Sequence, residues 1–218
     1  MLSDYQTLVD DLVRDQDAKV ATAQRDRAIN AAVLEYSKRK PDVKVQDVAG
    51  DGTRLLALPA AWELDFSAPR SIEYPIGDLP PTLLESIDFY ESPAALKFLL
   101  ENAIANGQNA RVNYTIRHKV DGANDTIPID DREAVSNYAA AICFDELAAA
   151  ASGDTDSTLN ADAVDHQGRG ARYAAASRNL RQRFYDQIGV DPKKNIAAGA
   201  IVDLNLKDSL GGPRLTHA

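Results

Sequence analysis

Two stretches decide how this chain folds: Tyr138-Ala139-Ala140-Ala141-Ile142-Cys143-Phe144-Asp145-Glu146-Leu147-Ala148-Ala149-Ala150, and Tyr173-Ala174-Ala175-Ala176 with Arg181-Gln182-Arg183-Phe184-Tyr185. Before the first lies Ile127-Pro128-Ile129-Asp130-Asp131-Arg132-Glu133. Asp130 or Asp131 can cap a helix there, and Glu133 falls in the first turn, where the helix dipole favours an acid. Val135, Tyr138, Ala139, Ile142 and Leu147 follow the helical period, the alanines let a neighbouring helix come close, and Ser152-Gly153 ends the run. A second helix is predicted over about 161–188, its stripe made of Tyr173, Ser177, Leu180, Phe184 and Ile188, and Gly189 terminates it. Arg169, Arg172, Arg178, Arg181 and Arg183 lie mostly off that stripe. The pair reads as a helical hairpin with a narrow apolar seam, a charged outer face and no chemistry, as a packing and assembly element would.

Working outward, residues 3–14 also read as a helix. Ser3 or Asp4 can cap it, and Tyr5, Leu8, Val9 and Leu12 share one face. Asp15-Gln16-Asp17 offers a break and a new cap. A second helix follows to about Lys40, with Ile29, Ala32, Val33 and Tyr36 on its buried stripe and Pro41 closing it. Lys19, Arg25, Asp26, Arg27 and Glu35 occupy its other face.

Between about 42 and 126 the pattern changes. Gly and Pro punctuate short runs at 53–58, 71–74, 83–90, 95–100 and 110–118. The last alternates cleanly: Val112, Tyr114 and Ile116 on one face, Arg111, Asn113, Thr115 and Arg117 on the other, which is a half-buried strand. Asn106-Gly107 is a good turn dipeptide, so 95–100 and 110–118 are expected to pair as a hairpin. Residues 94–106 also fit a helical period through Leu96, Leu99, Leu100 and Ala103; strand is the favoured reading. The tail, 190–218, has no helical stripe. Within it 200–206 alternates, Ile201 and Asp203 against Val202, Leu204 and Leu206, as a strand in need of a partner would.

The expected architecture is therefore α+β, mainly α. The N- and C-terminal helices form one bundle over 1–189, a β-containing insertion occupies about 42–126, and 190–218 is an extended C-terminal arm. A chain of 218 residues that is 44% hydrophobic can bury such a core. Aromatics at 6% point to aliphatic and alanine packing rather than a large ligand cavity. There is no run of about 18 apolar residues for a membrane helix, and Met1-Leu2-Ser3-Asp4-Tyr5 lacks the basic and apolar regions of a signal peptide.

Chemistry finds little footing. A single cysteine, Cys143, excludes a disulfide framework within the chain and reads as a small buried hydrophobe. His118, His166 and His217 have no ligand spacing and read as surface or turn histidines. Asp154, Asp156, Thr158, Asp162 and Asp165 follow the spacing of a calcium loop. Leu159 stands where that loop requires Gly, however, so a turn built from capping residues is the better reading. Phosphate-binding loop, dinucleotide fingerprint and nucleophile elbow are all missing from the sequence. No catalytic residue, metal or cofactor is predicted.

The net charge of −9 opposes binding to exposed nucleic acid. Its distribution is uneven. Residues 1–17 hold five Asp, among them Asp10, Asp11 and Asp15, against one Arg; residues 169–186 hold five Arg, among them Arg172, Arg178, Arg181 and Arg183, against one Asp. These read either as ordinary solvated faces or as complementary flanks of repeated subunits, which a ring sets against each other.

Arg27-Ala28-Ile29-Asn30-Ala31-Ala32-Val33-Leu34-Glu35-Tyr36-Ser37 before Pro41, Val112-Asn113-Tyr114-Thr115-Ile116-Arg117-His118, Ile127-Pro128, and the stretches at 138–150 and 154–173 together resemble the head–tail connector (adaptor, or head-completion) proteins of tailed bacteriophages. The resemblance covers most of residues 1–189 and rests on the order of elements rather than on one diagnostic motif. The long β-like insertion departs from the smallest, mostly helical connectors. The resemblance implies a helical bundle and a homo-oligomeric ring, a dodecamer, in the neck of a virion made in the host cytoplasm. It also implies the portal protein above, tail or neck proteins below, and DNA passing through the lumen without specific binding. An acidic protein suits such a lumen. On this reading Ile201, Val202, Leu204 and Leu206 anchor the arm on an adjacent subunit or on the portal. The other readings are a DNA-packaging accessory protein that binds through the Arg169–Arg183 stripe and a small metal-dependent enzyme using the Asp-rich turn.

Overall fold

A computed structural model describes residues 1–14, 19–93, 95–153 and 166–191. The chain is α+β and mainly α. Its order is α1 (Leu2–Val13), α2 (Thr22–Arg39), β1 (Asp42–Ala49), β2 (Leu55–Ala57), β3 (Pro69–Glu73), β4 (Ile87–Glu91), β5 (Leu96–Leu100), β6 (Asn109–Ile116), a 3₁₀ turn at Ile129–Asp131, α3 (Arg132–Gly153) and α4 (His166–Ile188). The Asp-rich turn at 154–165 and the tail from 192 onward, with Ile201, Val202, Leu204 and Leu206, lie outside the described residues.

The four helices share one core, and α3 is its centre. It packs against α1, α2 and α4. Ala134, Val135, Ser136, Asn137, Ala139, Ala140, Ala141, Cys143 and Leu147 are all buried. They run round the helix instead of lining one stripe, so the expected narrow seam with a charged outside is wrong for this helix. Alanine is what makes burial on every side possible. It brings no side chain past Cβ, so three neighbouring helices can approach at once. The same closeness shows at Gly170 of α4, where a Cβ would stand 3.6 Å from the Ala148 carbonyl oxygen.

The outer helices obey their stripes. Tyr5 and Val9 of α1 and Ile29, Ala32, Val33 and Tyr36 of α2 are buried, as are Ser177, Leu180, Phe184 and Ile188 of α4. α1 opens at Leu2, so Ser3 and Asp4 lie inside its first turn rather than capping it. α2 starts at Thr22, with the Ala21 N–H donating to Gln24 Oε1 at 2.8 Å. α4 ends where Gly189 takes φ +70°. Val190 N–H then donates back to the Tyr185 carbonyl at 3.0 Å, a left-handed C-terminal cap that only glycine adopts without strain. Val190 itself is buried in the bundle core.

The middle of the chain forms a second core between two three-stranded antiparallel sheets, ordered β1-β6-β3 and β2-β5-β4. All five short runs read from the sequence contain a strand, and 96–100 is strand rather than helix. β1, the longest with β6, is an addition, paired without a break from Asp42↔Ile116 to Ala49↔Asn109. Val48, Leu56, Ile72, Phe98, Leu100, Ile104, Val112 and Tyr114 fill the space between the sheets. Trp62 closes it, with ring centroids 5.1 Å from Phe98 and 5.8 Å from Tyr114.

The expected hairpin between 95–100 and 110–118 does not form. β5 pairs with β2 and β4, and β6 with β1 and β3. The Asn106-Gly107 turn is real, with Gly107 at φ +78°, but it delivers the chain to β1. Gly50 N–H donates to the Gln108 carbonyl (2.8 Å) and Gly107 N–H to the Gly50 carbonyl (3.2 Å). Ile104 is buried against Gly50 at this crossing, where a Cβ on Gly50 would fall 2.4 Å from Ile104 Cγ2. The chain thus changes sheets between β5 and β6.

Replacing Ala140 with Leu forces three extra heavy atoms into the α3 interface. Overpacking of this kind costs about 1–3 kcal/mol. We expect Ala140→Leu to lower the urea midpoint with the slope unchanged, and an unaltered midpoint would contradict burial of α3 on all sides.

Candidate interaction surfaces and the polar junction

Where the chain re-enters the bundle, three polar clusters tie the elements together. Asp125 Oδ1 accepts from Tyr5 OH (3.2 Å) and from Ile127 N–H (3.1 Å), while its Oδ2 lies 2.9 Å from Arg132 Nη2. Asp131 Oδ2 accepts from Tyr36 OH at 2.5 Å and from Lys40 Nζ at 2.6 Å. Asp131 is therefore not the exposed cap expected of it. It is buried, and its carboxylate pins α2 to the start of α3. Burial works against its ionisation, but the hydrogen bonds from Lys40 and Tyr36 outweigh burial and hold the carboxyl below its ordinary value.

His118 is the third cluster, and it is buried rather than a surface or turn histidine. Its Nε2 lies 3.0 Å from the Lys40 carbonyl. Nδ1 lies 3.0 Å from the Thr126 hydroxyl and 3.1 Å from the Thr126 carbonyl, and that hydroxyl accepts from Lys119 N–H. The His118 backbone N–H donates to Ser37 Oγ at 3.0 Å, and its ring lies against Tyr36. Both ring nitrogens are spent on structure. No signal in the sequence marked this role, because the partners lie 8 to 81 residues away.

Among the described residues no group of three or more His, Cys, Asp or Glu could hold a metal ion. Cys143 is fully buried and burial pushes its thiol up to about 12, which leaves no thiolate for chemistry near neutrality. No helix among them is long and apolar enough to cross a membrane.

The charged flanks sort into residues spent inside the chain and residues turned outward. Asp10 pairs with Arg25 of α2, and Asp4 lies 3.6 Å from Arg132. Arg181 pairs with Asp145 of α3 and lies over the Tyr138 ring. Asp11, Arg178 and Arg183 are exposed; Arg172 is exposed as well but also keeps an interaction within the chain. Asp15 lies outside the described residues. The structure thus does not gather the candidate interface residues into one site: they sit on α1 and α4, which each pack against α3. Apolar side chains are also turned outward on the β-sandwich, with Val45 58%, Leu79 95% and Phe89 48% exposed.

No family model and no curated protein matches this chain. Among solved structures it is similar to a chain from the neck of a native gene transfer agent (GTA) particle computed with C12 symmetry. The two share 14% identity and a TM-score of 0.25, over 78% of this chain and 89% of that one. At that TM-score the two backbones superpose only loosely.

Burial pushes the His118 imidazole below its ordinary value of 6.5, against the opposing pull of Asp42, the Lys40 and Thr126 carbonyls and Asp131. The unfolded chain therefore takes up the proton first as pH falls. The stabilisation from neutral His118 is complete above pH 6.5 and is lost below it, down to the folded pKa. We expect the melting temperature to fall between about pH 7 and about pH 5, and His118→Gln to flatten that slope. An equal slope in the variant would assign it to other groups.

Proposed function

We propose that this protein is a structural subunit of a phage-type neck: a head-to-tail adaptor that assembles as a ring beneath the portal and catalyses no reaction. The observation that carries this reading is the arrangement of charge on the bundle. Two outer helices of one core, α1 and α4, present opposite charge to solvent, Asp11 on one and Arg178 and Arg183 on the other. Surfaces of opposite sign on different helices suit head-to-tail contacts between identical copies, which close into a ring when the rotation allows. The resemblance in the order of elements supports the same reading and gives the subunit number as twelve. The portal, the tail or neck proteins and the passing DNA complete the set of partners. With a net charge of −9, the protein suits a channel wall that does not grip DNA.

The internal pairs of Asp10 with Arg25 and of Arg181 with Asp145 narrow the interface. Arg178 and Arg183 are the arginines to test, since reversing Arg181 also breaks its pair with Asp145. Surface changes of this kind usually shift stability by no more than about 0.5 kcal/mol. We expect Arg178→Glu with Arg183→Glu to leave the melting temperature nearly unchanged and to abolish rings, as read by native mass and by imaging of particles. Intact rings would remove the complementary-flank interface.

The arm is tested separately. Val190 belongs to the bundle core, so the deletion must start after Asp191. Removal of 192–218 should leave the melting transition in place and prevent attachment to the particle. Normal particles assembled with the truncated chain would show that the arm anchors nothing.

A further inference from the structure

The sandwich leaves one long strand unpaired on one side. Among the described residues β1 is the edge of its sheet and is bonded only to β6, over all eight of its residues. Gly50 N–H points to Gln108, on the β6 side. In an antiparallel ladder the backbone direction alternates, so Val43, Val45, Asp47 and Ala49 present their N–H and C=O groups to the open edge. Val43 N–H is met only by its neighbour Asp42 Oδ1, at 2.9 Å. Val43 and Val45 are exposed on the sheet's outer face, and Lys44, 46% exposed in its side chain, lies between them on the other. Natural edges are usually blunted by bulges, shortness or charge; this one carries Asp42, Lys44 and Asp47, yet it has an unbroken register and two outward valines.

We propose that this edge receives residues 200–206 of a neighbouring copy's C-terminal arm as a fourth strand. The inference rests on the reading that the arm anchors on an adjacent subunit, and adds where it lands. Three observations select the arm. First, 200–206 is seven residues long and alternates, against eight on β1. Second, one register satisfies both faces. With Asp203 opposite Lys44, Val202 and Leu204 fall opposite Val43 and Val45 whichever way the strand runs, because directly opposed residues share a face. That places carboxylate against ammonium on one face and aliphatic against aliphatic on the other. Third, 192–199 supplies eight residues after Asp191, enough to span about 25 Å extended. The competing edges fit worse. β2 has three residues; β3 has five with a break in register, and its Ile72 carbonyl already accepts from Leu84 N–H (2.9 Å); β4 has five, with Asp88 and Glu91 but no cation to meet Asp203 as Lys44 does on β1.

Single-cysteine variants of the full-length protein test the docking. Val45→Cys chains are mixed with Leu204→Cys chains, opposed if the arm runs parallel to β1, or with Val202→Cys chains, opposed if it runs antiparallel, and oxidised; opposed Cβ atoms lie about 5 Å apart, near disulfide range. Native Cys143 stays buried and silent. The expected result is a disulfide between the two different chains in one of these two mixtures. Lys44→Glu should lower its yield, and Asp203→Lys on the arm should restore it. A 45–45 disulfide alone would overturn the inference in favour of β1 meeting β1. A disulfide from 204 to Phe89→Cys, with none to 45, would move the arm to β4 and overturn it likewise. No cross-link at all overturns it, whether or not rings form. Rings without the cross-link would remove only the docking. The cross-link in a protein that never joins particles would remove the adaptor reading and leave the docking.

Discussion

The fold depends on a helix that is buried on every side. Most surface helices hide one stripe and show water the rest. α3 cannot, because α1, α2 and α4 all pack on it. The Ala139-Ala140-Ala141 run is the condition for that arrangement. Larger residues would hold the neighbours apart, and polar ones would need partners in a dry core. The two polar residues that are buried there do have partners: Ser136 Oγ donates to the Arg132 carbonyl (2.9 Å) and Asn137 Nδ2 to Gln187 (3.0 Å). Packing geometry, rather than any binding or catalytic demand, explains the composition of this helix.

The same constraint explains the polar junction. The start of α3 is where α1, α2 and the returning chain all meet, so backbone and charged groups converge with little water. Asp125, Asp131 and His118 satisfy them: each carries at least two hydrogen bonds to other elements. A buried carboxylate without its cation is costly, and this is why Lys40 at the end of α2 and Arg132 at the start of α3 stand where they do. The sandwich hangs from the bundle at this same place, through Ser37 and Lys40 on one side and Thr126 on the other.

Local patterns in the sequence were enough to find the helices, the stripes of α1, α2 and α4, and five of the six strands. The misses were of two physical kinds. β1 escaped notice because its burial changes phase: Val43 and Val45 face water, whereas Val48 faces the core, so no single alternating stripe marks it. The pairing of β5 escaped because turn chemistry at Asn106-Gly107 specifies that the chain reverses, not which strand it meets; Ile104 packing on Gly50 decides that. Asp131 and His118 were misjudged for a related reason. A cap and a buried anchor look alike in sequence when the partners are 91 and 81 residues away. The candidate interface residues were legible as charge, but not which of them the chain spends on itself.

That last distinction reshapes the surface. A cluster of opposite charges in sequence overstates what a neighbour meets, since Asp10, Asp4 and Arg181 already have partners within the chain. Exposed pairs contribute about 0–1 kcal/mol each, so the few charges left over set orientation more than they supply affinity. Affinity has to come from burying apolar surface and satisfying open backbone. The bundle offers little of either outside its core; the sandwich offers both, in the outward valines and the free backbone of β1. Charge on the helices and an open edge on the sheet thus divide between them the tasks of orienting a neighbour and holding it.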